Sequence, residues 1–342
     1  LFNLNSFAIN SIMKLLNKRP SIFGKSRMPS LFLLCGTIWL TSCSGDGTNT
    51  AESVIADNTL IPFQDMETSM WGFLDMNGNV AIKPDFESAP SVHKDGYAVF
   101  QDDDQYQYID ESGKLVGKKY LKASLFHEGL ACVVEKDKPL AFINKNLETV
   151  FTLPATIESA GIFSGNLCRV EDNQKKCGFI DATGKIVIQP QYDFVSSFNS
   201  GRAVVAVFAS KETPGRLHSG GLSQIYEQRQ SGGDDGMLWG VIDTKGNEII
   251  KPTDKYIWIC RFSNGMATFI SKDKKSGCID AEGKEIFAGR DYSRIGYYKD
   301  GFVSFERGGK WGLLNNKGEE IIRTKYNVPL QFFNGLALTQ IG

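Results

Sequence analysis

Several residues in this chain of 342 could do chemistry, and their spacing decides which chemistry is open to them. Ser271 and Lys274, in "SKDKKSG", stand three apart, the separation of a serine nucleophile and its lysine base in acyl transfer. The companion motifs of that chemistry are missing, and the setting reads as a charged hairpin. Asp-x-x-Gly recurs at Asp75, Asp110, Asp181, Asp243 and Asp280, but it serves as a nucleotide switch only beside a phosphate loop. "FGKS" at 23–26 resembles the tail of such a loop, with Arg19 where the first glycine belongs. Asp102 to Asp104, and Asp234 with Asp235, offer carboxylates to calcium without the spacing of a known loop. His93, His127 and His218 are far apart; His93 and His127 both read as variants of one place just before a recurring glycine, and none joins a cluster with metal spacing. We therefore expect no catalytic residue, no metal, no cofactor and no enzyme. A hydrolase would require two convergent carboxylates instead.

The elements behind these motifs repeat. An Asp or Asn followed three residues later by Gly occurs at Asp75, Asp110, Asp181, Asp243, Asp280 and Asn315, with a degenerate copy at Asn144, where Leu147 replaces the glycine. The starts lie 35, 34, 37, 62, 37 and 35 residues apart. Gly96, Gly129, Gly165, Gly201, Gly265, Gly301 and Gly335 keep the same step, mostly within aromatic-x-x-Gly-x-Ala. Two markers with one period and one common jump imply seven repeats and one insertion. Each copy reads as a strand such as "WGFLD", a tight turn, a second strand such as "VAIKP" that its proline stops, and a third such as "GYAVF". The expected fold is all-β: an antiparallel array of about seven three-stranded units of about 35 residues, propeller-like, with an open β-solenoid as the alternative.

This pattern resembles the WG-containing, or KWG, repeat family, most closely at "GGKWGLLNNKGEEIIRTKY". Trp71-Gly72, Trp239-Gly240 and Trp311-Gly312 carry the full signature, while Tyr106-Gln107, Leu140-Ala141, Cys177-Gly178 and Ser276-Gly277 depart from it. The resemblance implies an all-β interaction module with no shared catalytic residues. The tryptophans read first as core and second as an exposed stacking platform.

The ends of the array carry the remaining information. Lys14, Lys18, Arg19, Lys25 and Arg27 precede an apolar run from Leu31 to Leu40, too short to span a membrane as a helix, and Leu40-Thr41-Ser42-Cys43 resembles a bacterial lipobox. Residues 1–43 thus read as a lipoprotein signal peptide, with Cys43 as the lipidated residue. Residues 44–59 read as a flexible tether, and 60–342 as the repeat domain with a loop insertion at about 209–236. Within that loop His218, Tyr226 and Arg229 are contact candidates. Five cysteines follow Cys43, an odd number. The formal net charge of −1 lacks the basic surplus of a nucleic-acid binder. The expected function is a lipid-anchored binding or scaffold protein of the cell envelope, on the outer membrane. Its partners are the membrane, through Cys43, and a protein, peptide or glycan. A structural spacer is the alternative.

Overall fold

The structure, a computed structural model, describes residues 59–209, 236–289, 292–333 and 336–338. Its hairpins come from two kinds of turn. At Asp75 the N–H of Gly78 donates to the Asp75 carbonyl at 3.0 Å, and the Asp75 carboxylate accepts from the N–H groups of Asn77 and Asn79, both at 2.8 Å. Gly78 closes the turn at φ 82°, a left-handed value open to glycine at no steric cost. Asp110, Asn144, Asp181, Asp243, Asp280 and Asn315 make the same pair of side-chain bonds. Only a side-chain oxygen acceptor is needed, so Asp and Asn serve alike. The second turn has positive φ at two successive residues, as at Asp95-Gly96, Ser200-Gly201 and Asn264-Gly265. That geometry is the two-residue hairpin whose twist matches its strands.

Between these turns run antiparallel strands, and no helix occurs among the described residues. They form sheet 1 (61–86), sheet 2 (97–120), sheet 3 (122–152), sheet 4 (157–192), sheet 5 (194–253), sheet 6 (256–289), sheet 7 (294–326) and a two-stranded hairpin (331–338). Each sheet is a meander of sequential strands, and the seven expected repeats supply the seven larger sheets. Sheets 3 to 7 have four strands rather than three. The added strand is the segment before the aromatic-x-x-Gly turn, from two residues at Phe194–Val195, which pairs with Val205 and Ala206, to eight at Ile157–Ser164. Four-stranded meanders of this kind build propeller blades.

The prolines do not stop their strands. Val80–Phe86, Ile186–Tyr192 and Glu248–Thr253 run through Pro84, Pro190 and Pro252. Phe73 pairs with Ile82 and Trp71 with Phe86, so the last strand of sheet 1 carries extra residues opposite Gly72. Proline is tolerated there because a bulge on an edge strand asks for no ladder N–H. The bulge also explains the glycine after each tryptophan. A β-carbon on Gly240 would stand 2.6 Å from the Ile250 carbonyl oxygen and 2.9 Å from the Pro252 nitrogen; Gly72, Gly178 and Gly312 are equally confined.

The described residues fall into two compact units, 59–118 and 119–338. In the first, Phe73, Ile82 and Phe86 of sheet 1 pack on Ala98, Phe100 and Ile109 of sheet 2. In the second, successive sheets stack through similar layers. Strand Arg202–Phe208 shows the period-2 logic: Ala203 and Val205 face Phe179 and Ile188 of sheet 4, whereas Val204 and Ala206 face Trp258 and Phe262 of sheet 6. Where sheets meet, a turn glycine lies against the preceding sheet's last strand. A β-carbon on Gly184 would stand 2.5 Å from the Phe151 ring, and one on Gly283 2.8 Å from Ile250 Cγ1.

The cysteines serve this packing. Cys132, Cys168, Cys177, Cys260 and Cys278 remain thiols, and burial pushes those of Cys132, Cys260 and Cys278 up to about 12. Thr268 pairs with Cys278 in register, and its carbonyl accepts from the Cys260 N–H at 2.7 Å. The two cysteines are thus two strands apart, about 10 Å, beyond the roughly 7 Å that a disulfide allows.

Two outcomes follow from this architecture. Gly240→Ala lowers stability by about 1–3 kcal/mol through overpacking, and Trp239→Ala lowers it by about 3–5, as read by urea unfolding. The five array thiols stay unreactive to Ellman's reagent in the native protein and react once it is denatured.

Candidate interaction surface

The side chains singled out for chemistry are mostly spent on the fold. Ser271 Oγ lies 2.6 Å from Asp273 Oδ1 as donor and accepts from the Lys275 N–H at 3.1 Å. The N–H of Lys274 donates to the Ser271 carbonyl at 2.9 Å. Asp172 makes the corresponding bonds to Lys175 and Lys176 in sheet 4. The Ser-x-x-Lys spacing is therefore that of a hairpin turn. The turn carboxylates are likewise engaged. Hydrogen bonds from Asn79, Ser112 and Thr183 hold Asp75, Asp110 and Asp181 below the ordinary aspartate value of 3.8. For Asp243 burial pushes upward, and bonds from Asn247 prevail. Asp102 to Asp104 form a hairpin turn, and no group of metal-binding side chains occurs among the described residues.

The tryptophans are core. Trp239 and Trp311 are buried, and Trp71 is half-buried against the sheet 1 layer. Trp258, unnoticed in the sequence because no Gly follows it, packs edge-on to Trp239 at 4.8 Å. His93 and His127 are not equivalent. His93 lies three residues before its turn glycine, where Phe126, Phe198 and Phe262 lie in other sheets, and is buried; His127 belongs to the turn itself. Cys43, His218, Tyr226, Arg229, Asp234 and Asp235 lie outside the described residues.

Two surface features stand out among the described residues of the 119–338 unit. One is a polar groove of about 380 Å³ lined by Asp254, Lys255, Lys272, Asp273, Lys275 and Glu285, among others. Its charges are internally matched. Lys255 Nζ lies 2.7 Å from Glu285 Oε1, Lys275 Nζ 2.9 Å from Asp273 and Lys272 Nζ 3.5 Å from Asp254. The Tyr256 hydroxyl donates to Glu285 at 2.9 Å; burial first, and that bond second, raise its pKa. Ion pairs this exposed contribute little to stability, which leaves their side chains available to a polar ligand.

The other feature is an exposed aliphatic position that recurs on the last strands of sheets 3, 4, 6 and 7. These strands are covered on one face only: Ile188 and Tyr192 point inward while Val187, Gln189 and Gln191 point to water. At the position directly before the inward residue stand Val150, Val187, Ile286 and Ile321, 37–48% exposed, with half-buried Ile249 in sheet 5. Neighbouring outward positions are polar or basic at Thr152, Gln189, Arg323 and Lys325, and small and apolar at Ala288. The sequence signal for the recurring position is the apolar doublet in "TVF", "IVI", "EII" and "EIF", of which only the second member is needed by the core.

Comparison with known proteins bears on the repeat itself. The pattern described as "WG containing repeat" matches residues 71–106, 178–207, 239–275, 277–311 and 311–342. No curated protein sequence matches the chain. Among solved structures, BamB from Moraxella catarrhalis is similar at 11% identity over 82% of this chain and 92% of its own, with a TM-score of 0.41. A eukaryotic initiation factor matches at 10% identity, 79% and 75% coverage and a TM-score of 0.45. Hsv2 of Kluyvelomyces marxianus matches at 9% identity, 72% and 78% coverage and 0.39.

Because these positions face water, replacing Val187, Ile286 and Ile321 together by lysine leaves each site within about 0.5 kcal/mol of the parent. Urea unfolding of the triple variant checks this, and a large loss would mean that these positions are part of the core.

Proposed function

On the premise that five segments of this chain belong to the WG containing repeat family, we propose that the protein is a binding or scaffold module held at the cell envelope by lipid on Cys43. The observation that carries the binding role is the recurring exposed position at Val150, Val187, Ile286 and Ile321. Exposed aliphatic side chains recur there at a place where the fold has no use for them. A protein or peptide partner suits such a position better than a glycan does, because its chemistry is aliphatic rather than aromatic. The polar groove at 254–285 adds matched charges for orientation. Catalysis is not part of the proposal, since the candidate nucleophile and carboxylates are held in turns. The lipobox at 40–43 supports the anchor and the outer-membrane address, and the tether at 44–59 would let the array reach its partner.

Two measurements test the two halves of the proposal. In a bacterial host, radiolabelled palmitate is incorporated by the full chain and lost in Cys43→Ser; equal labelling of both would remove the anchor. In cross-linking within native envelopes, the parent yields a discrete adduct that the Val187→Lys, Ile286→Lys, Ile321→Lys variant loses at equal abundance. An adduct that survives the triple change would move the contact elsewhere.

A further inference from the structure

His93 occupies a place built for phenylalanine. Phe126, Phe198 and Phe262 fill it in sheets 3, 5 and 6, and Phe163 fills it in sheet 4, where the two turn residues are Gly165-Asn166; each of these phenylalanines is at most 1% exposed, and Tyr298 fills the place in sheet 7. In the 59–118 unit the same place holds an imidazole that is only 1% exposed. Its ring meets Phe73 edge-on, with centroids 6.2 Å apart, and its main-chain N–H donates to the Leu60 carbonyl at 3.1 Å. One side-chain bond goes to the main chain of Asp110. Nε2 is buried with no hydrogen-bond partner, which assigns the Asp110 bond to Nδ1 and makes the neutral, Nδ1-protonated form the one that fits.

We propose that His93 makes the 59–118 unit acid-sensitive: the proton that Nε2 would take up has no acceptor inside the cage, so acidification loosens this unit and leaves the 119–338 unit closed. A second N–H on the imidazole would be a buried, unsatisfied donor on a buried charge. The groups around it do not offset that cost. Strand Trp71–Leu74 presents Phe73 and carries no charge, and Leu60 contributes only its carbonyl. The turn that follows strand Gln105–Asp110 brings Asp110 and Glu111, whose charges favour protonation. The Asp110 carboxylate, however, is already taken by Ser112 and the Lys114 N–H. Lys94, Asp95 and Tyr97 complete the titratable groups of His93's own turn. Burial dominates, and the imidazole is held below its ordinary value of 6.5. A group lowered in this way contributes stability that is fully present above 6.5 and is lost as the pH falls from there through the folded value. The turn aspartates, with values below 3.8, act in a lower window, so the two effects separate on the pH axis.

The test is hydrogen–deuterium exchange of the full chain at pH 7.5 and 5.0, corrected for intrinsic rates, with peptides assigned to each unit. Peptides from 59–118 should lose protection at pH 5.0 while those from 119–338 keep theirs, and His93→Phe should abolish the loss. His93→Gln cannot take up a proton at these pH values but keeps a donor for Asp110, and it should abolish the loss as well. A parent without loss, an equal loss in both units, or a loss retained by either variant with parental protection at pH 7.5 would each overturn the proposal.

Discussion

The stack of sheets depends on turn glycines that leave no room for a β-carbon. Leu147 takes the turn position in sheet 3 and Gly246 has ordinary room against Ile188, but at four joints where an Asp-x-x-Gly turn meets the preceding sheet the glycine lies directly on a large apolar side chain: Gly113 on Ile82 within the first unit, and Gly184 on Phe151, Gly283 on Ile250 and Gly318 on Phe287 within the second. Any β-carbon there would force neighbouring sheets apart, and the aromatic layer between them would lose its dispersion contacts. The same residue must also adopt positive φ. One position thus satisfies a local demand of the turn and a long-range demand of the stack, and for that reason glycine returns with a fixed step.

That coincidence governs what could be read from the amino-acid order alone. The Asp-x-x-Gly and aromatic-x-x-Gly markers are visible because each needs a particular residue type, and the seven larger sheets follow from them. The fourth strand is different. In sheets 3 and 5 it is two residues long, Lys122–Ala123 and Phe194–Val195, too short to show alternation, while Ile157–Ser164, Tyr256–Ile259 and Arg294–Lys299 are longer but carry register shifts that break the period. The prolines misled for a related reason. Pro190 looks like a terminator in one dimension and is a bulge residue in two, opposite a glycine that makes room for it. Trp258 goes unmarked in the sequence, and His93 reads there as a loop variant beside His127, because their meaning is positional: the one fills a layer beside Trp239, and the other stands where its equivalents are phenylalanine.

Side-chain hydrogen bonds across sheets add a second kind of coupling within the larger unit. The Glu128 carboxylate accepts from the N–H groups of Gly165 and Asn166 at 2.8 and 2.9 Å, and Ser200 Oγ accepts from Gly265 N–H at 2.9 Å. The donors belong to the two-residue turns, whose N–H groups face away from their own ladder. Asp193 does similar work where sheet 4 passes into sheet 5: it pairs with Lys176 at 2.6 Å and accepts from Phe208 N–H at 3.0 Å. Repeats tied in this way resist independent opening, so a group that weakens one layer is felt beyond its own hairpin.

A fold that consumes its polar groups in turns and its aromatics in layers leaves few positions where change is inexpensive. Outward residues of the edge strands are one such set. The junction of Phe208 and Met237 is another, because strands Arg202–Phe208 and Met237–Asp243 stay in register to their last pair, and Ala209 N–H still donates to the Gly236 carbonyl at 2.8 Å. Residues added beyond that bond alter no strand pairing, and the entropy of closing a longer loop grows only slowly with its length. The same sheet that buries Trp239 completely can therefore carry the longest departure from the repeat. Sequence freedom in this architecture lies where the repeat stops constraining the chain, at the outward edge-strand positions and at the charged-turn end of the sheets.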